Sequence, residues 1–279
     1  MLVQPCSSDR RAPRRAFLTL AAPLLLATVT TTTLPAQSAA PAASPAPALT
    51  GAARWADTVR VSIERAVIAG DARALAAAGA MADRALTAFP NDALLLHYKA
   101  YALYRELMTG NAPRNDAFTT RMEQAVDLLE RSAAVRPMAE TQALLSSCHG
   151  ALAAEGMIAG MRHGPVSTSA REAAMKLGPS NPRVLMLSAI GFWFTPKMWG
   201  GGEDKGYATL QRAIAAYAQD RPAAPLPAWG HAEAYAWLGQ MEAKRGNAEA
   251  ARAAYTKALS IEPGFVWVRT ALLPALAKQ

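Results

Sequence analysis

The chain has 279 residues, two cysteines and a formal charge of +8, and 52% of its side chains are hydrophobic. So large an apolar share excludes a disordered chain, and Cys6 with Cys148 alone excludes a disulfide-built scaffold. The basic residues are scattered and no nucleic-acid-reading module accompanies them, so nucleic acid is excluded as a partner.

Residues 1–36 read as a signal peptide. A basic segment with Arg10, Arg11, Arg14 and Arg15 precedes a short apolar run from Phe17 to Val29, and small residues follow. The run is too short to span a bilayer, and Pro23 interrupts it. Arg14-Arg15-Ala16-Phe17-Leu18 resembles the twin-arginine export signal, which implies a periplasmic or secreted protein with no integral membrane segment after processing. Without the leader the charge falls to near +5, and Cys148 is the one remaining thiol. Residues 37–52, rich in Pro, Ala and Ser, read as a disordered linker. Residues 53–279 then form one helical domain.

Beyond the linker no strand-like alternation occurs; alanine and leucine dominate and favour helices. Amphipathic runs end at Pro90, Pro137, Pro179 and Pro263, spaced by 47, 42 and 84 residues. The last interval is twice the one before it, so the punctuation marks a repeat. The expected helix pairs are Arg54–Ala69 with Asp71–Phe89, and Asp92–Met108 with Asn115–Val135. Met138–Gly160 pairs with Ser167–Leu177, Asn181–Phe194 with Glu203–Gln219, and His231–Lys244 with Ala248–Ile261. Phe265–Leu276 is expected to cap the last apolar face.

The stretch from Ala232 to Pro263 closely resembles the tetratricopeptide repeat (TPR). Tyr235, the Leu238-Gly239 pair, the Gly246-Asn247 turn, Ala251, Tyr255, Ala258 and Pro263 stand at the family's signature positions. Residues 181–234 are also similar to exported bacterial TPR proteins of unassigned biochemical role. The resemblance implies an all-α TPR-like solenoid of about five antiparallel helix pairs plus a capping helix. It further implies a non-catalytic scaffold that binds a protein or peptide along the first helix of each pair. Carried across the repeats, the expected groove residues are His97, Tyr101, Tyr104 and Arg105, then Thr141, Leu144 and Cys148. Arg183, Met186 and Ile190 follow, and Glu233, Gln240 and Lys244 complete the face. The family's Lys/Asn clamp for C-terminal carboxylates is not expected, because Ala236 and Gln240 stand at those positions.

The run Thr195-Pro-Lys-Met-Trp-Gly-Gly-Gly-Glu-Asp-Lys-Gly206 looks superficially like a phosphate loop. It follows a helix, Lys205 precedes no Ser or Thr, and Glu203 with Asp204 would repel an anion. It reads instead as a widened turn with Trp199 packed beneath it. The histidines His97, His149, His163 and His231 show no metal-ligand spacing, and no catalytic triad, metal or cofactor is expected. The alternative to a protein scaffold is a small-molecule binding component of a transport system, with an enclosed pocket near Trp193 and Trp199.

Overall fold

The computed structural model describes residue 49, residues 51–109 and residues 113–278. The leader, nearly all of the linker and the leader's Cys6 lie outside the described residues. Ten long helices form five successive hairpins: α1 (Gly51–Ala69) with α2 (Ala72–Ala88), α3 (Ala93–Met108) with α4 (Asp116–Val135), and α5 (Ala139–Ala153) with α6 (Met157–Leu177). They continue with α7 (Pro182–Phe194) and α8 (Glu203–Tyr217), then α9 (His231–Lys244) and α10 (Ala248–Ile261). A π-helical segment, Val268–Leu272, leads into the short α11 (Leu273–Leu276) at the predicted capping position. No strand occurs among the described residues.

Local chemistry sets the boundaries. Asp71, Asp92, Asn115 and Asn181 cap α2, α3, α4 and α7, each accepting a bond from a first-turn amide. Two boundaries differ from expectation. Helix α1 starts at Gly51, inside the stretch read as linker. The third hairpin turns at residues 154–156, not between Gly160 and Ser167, and Pro165 lies inside α6. Gly156, at φ +149°, makes that turn. Pro165 is tolerated because it sits on the exposed side, where the carbonyl freed at Met161 faces water.

Close helix crossings hold the hairpins together. Gly239 on α9 lies against the ring of Tyr255 on α10, and this contact explains the Leu-Gly pair seen in the sequence. Gly206 on α8 brings its backbone onto α7: a Cβ there would stand 2.8 Å from the Trp193 amide nitrogen and 2.9 Å from the Ala189 carbonyl oxygen. The coil also closes on itself. Ile68 at the end of α1 packs into the C-terminal apolar cluster around Phe265 and Val268.

Gly206→Ala should therefore lower stability by about 1–3 kcal/mol, although alanine is the better helix former. A fall in the urea midpoint with unchanged helical circular dichroism would match this. A rise in the midpoint would show that α7 and α8 can separate freely.

Candidate functional site

The first helices of the hairpins bring the expected groove residues to one interior face. Most of that face is sealed by the chain itself. Residues 218–230, which connect α8 to α9, run into it. Arg183 grips their start, with Nη1 and Nη2 donating to the two carboxylate oxygens of Asp220 at 2.7 and 2.9 Å. The same guanidinium lies 3.5 Å from Glu140, which Asn181 also holds. Tyr98 donates its hydroxyl to the Pro225 carbonyl, and Tyr217 donates to the Trp229 carbonyl at 3.2 Å. The Trp229 ring stacks on Tyr101 with centroids 4.8 Å apart. Beyond it Arg105 pairs with Glu233 and lies over the Tyr101 ring.

This arrangement sorts the expected groove residues by depth. His97, Tyr101, Thr141, Leu144, Cys148, Arg183, Met186 and Glu233 are buried, and Tyr104 and Arg105 are partly covered. Exposure then rises along the helices. It passes from Arg183 and Met186 through Ile190 to Phe194 on α7, and from Glu233 through Trp237 and Gln240 to Lys244 on α9. One end of the groove is thus filled and the other open. At the open end Phe194 meets Trp237 edge-to-face at 6.1 Å, and Trp237 meets Trp267 at 5.7 Å. Lys244 reaches over the Trp193 ring, and the buried Nε2 of Gln240 has no partner. The expected list omitted Phe194, Trp237 and Trp267, although Phe194 stands one helical turn beyond Ile190 and Trp237 one turn beyond Glu233.

Burial governs the electrostatics. The His97 pKa is lowered to about 4 by desolvation; its Nδ1 meets Thr141 Oγ1 at 3.1 Å, while its Nε2 has no partner. Burial pushes the Cys148 thiol up, which keeps it protonated and a poor nucleophile. Burial opposes the charge of Arg105, but Glu233 more than offsets this and holds its pKa up. His149 and His163 meet across the α5–α6 hairpin with their Nδ1 atoms 3.1 Å apart. Burial lowers both, and His149 is lowered further by its neighbour. Two imidazoles fall short of a structural metal site, and no group of three or more ligands occurs among the described residues.

The three glycine amides of the turn are already bonded and do not cradle an anion. Gly200, Gly201 and Gly202 donate to the carbonyls of Lys197, Pro196 and Phe192. Trp199 does not pack beneath it; the side chain is 68% exposed, and Trp193 is the tryptophan buried there. Neither of two hollows among the described residues is lined by this pair. A cavity of about 90 Å³ lies elsewhere, lined by Glu64, Tyr101, Trp229, His231 and Glu233 among others. A larger hollow of about 620 Å³ runs along α10 alone and lacks a second wall.

Among solved structures the chain is similar to TTC0263, a thermophilic TPR protein of Thermus thermophilus. The TM-score is 0.58 at 19% identity, over 80% of this chain and 98% of that one. The chain has the tetratricopeptide-repeat fold. The APC/C hetero-tetramer Cut9–Hcn1 matches with a TM-score of 0.49 at 14% identity, over 81% of this chain and 41% of that one. YrrB, described as a TPR protein with an unusual peptide-binding site, matches with a TM-score of 0.36 at 14% identity, over 79% and 98%. No family model and no curated protein matches the sequence.

Two outcomes follow for this TPR domain. Trp229→Ala should cost about 3–5 kcal/mol, because it empties the filled end of the groove; urea denaturation measures it. Stability should also fall on acidification. The unfolded chain protonates His97 near its ordinary 6.5, whereas the folded chain resists until about 4, so the loss runs through that window. Denaturation midpoints at about pH 7.5 and about pH 5 should differ, and His97→Asn should shrink the difference.

Proposed function

We propose that this protein is an exported, non-catalytic TPR scaffold that holds a protein or peptide partner at the open end of its concave face. The observation that carries this reading is the incompletely covered aromatic row of Phe194, Trp237 and Trp267, flanked by Ile190, Gln240 and Lys244. Aromatic anchors beside a few polar groups are the features that dominate protein-binding energies. Export belongs to the reading through the leader resembling a twin-arginine signal.

The 90 Å³ cavity weighs against the small-molecule alternative, since pockets for such ligands run to about 300–1,000 Å³. No step of catalysis is assigned, because the buried Cys148 and His97 are held in their neutral forms and face the filled end.

A photo-crosslinking residue at Ile190, in protein recovered from the exported fraction, tests the proposal. The expected result is one defined adduct, reduced about tenfold or more by Phe194→Ala with Trp237→Ala and unaffected by Lys257→Ala on the outer face of α10. The absence of any adduct from abundant folded protein would overturn the reading, as would an adduct indifferent to the aromatic pair.

A further inference from the structure

The hairpin tips carry a second surface that the groove does not use. In a TPR fold the first helices run parallel, so the α5–α6 and α7–α8 turns lie at the same edge; the packing of α5 against α7 brings these two side by side. Both tips are apolar and both project. Met157, Ile158 and Met161 open α6, with Met157 81% exposed. On the next tip Met198 is 82% exposed, beside Trp199. Space is open beside both: among the described residues, a Cβ at Gly156 or at Gly200 would meet no atom within 4 Å. The second tip is nevertheless fixed, because its glycine amides are spent on the carbonyls of Lys197, Pro196 and Phe192.

Charge around the tips has one sign left over. Arg114 pairs with Glu155, Lys244 with Glu203, and Arg245 and Lys197 with Asp204. Among the described residues no carboxylate pairs with Arg162, on the first tip, or with Lys205, just behind the second. The acids are neutralised and cations remain.

We infer that this edge docks on an anionic phospholipid surface. Interfacial binding needs what the tips offer: flexible methionines, an isoleucine and a tryptophan that enter the headgroup region, with cations behind them for the anionic heads. No helix among the described residues is long and apolar enough to cross a membrane, so the attachment is peripheral. This surface adjoins the aromatic row, since Phe194 ends α7 four residues before Met198, but it uses different side chains, and either proposal can fail without the other.

Co-sedimentation of the purified protein with vesicles tests it. Vesicles of phosphatidylethanolamine with phosphatidylglycerol should retain the protein, vesicles of phosphatidylcholine alone should not, and added salt should release it. Met157→Ser with Ile158→Ser, and separately Met198→Ser with Trp199→Ser, should each weaken retention about tenfold or more with unchanged thermal midpoints. Phe194→Ala with Trp237→Ala should leave retention intact. Failure of the wild-type protein to bind anionic vesicles overturns the inference. Equal binding to both vesicle types, or retention unaffected by the tip substitutions, overturns it as well. A protein adduct formed through Met198 or Trp199 in the absence of lipid binding would reassign the edge to a protein partner.

Discussion

The buried guanidinium of Arg183 is the constraint on which the interior depends. Only 2% of the residue is exposed, and a cation in that position is untenable unless its charge is matched. Asp220 supplies two charge-assisted bonds and Glu140 a second carboxylate, so α5 and the α8–α9 connection must both converge on α7. Once Asp220 is fixed, the chain that follows it has one place to go. It crosses the first helices, leaves its Pro225 carbonyl on Tyr98 and seats Trp229 on Tyr101. The pairing of Arg105 with Glu233 closes the same wall from the far side. A surface that in an open solenoid would face solvent thereby becomes core.

That conversion decides where recognition can occur. A partner entering the filled end would have to displace Trp229 and strip Arg183 of its acid, a cost of several kcal/mol before any contact is made. The open end carries no such penalty. Its aromatics are already held edge-to-face by one another, so little side-chain freedom is lost when a ligand covers them. The rigidity of the closed end is what makes the open end a defined surface.

What the sequence made legible was local. The Leu238-Gly239 pair, the Gly246-Asn247 turn and the recurring prolines act within one hairpin, where spacing translates directly into geometry. The filled groove was not legible, because its bonds join Tyr98 to residue 225, Arg183 to Asp220 and Arg105 to Glu233 across several repeats. The irregular, proline-rich connection before α9 falls inside the doubled 84-residue interval, and nothing in its composition revealed a burial site for Trp229. The His149–His163 meeting lay between these extremes. The two residues are equidistant from Gly156, so a hairpin turning there must bring them level. Placing the break between Gly160 and Ser167 hid that symmetry.

Trp199 shows how packing in one place dictates exposure in another. The close approach of Gly206 to the backbone at Ala189 and Trp193 leaves no layer between α7 and α8 for a second large ring. Trp193 fills the available space, and the turn that follows must carry its side chains outward. A turn required only for connection would place small or polar residues there, since large apolar side chains gain nothing from burial when they stand in water. Met198 and Trp199 are therefore unexplained by folding, and Met157 and Ile158 at the neighbouring tip are unexplained in the same way. Four apolar side chains exposed at one edge, on backbones held by their own hydrogen bonds, satisfy no internal need, so the reason for their chemistry lies with what the edge touches.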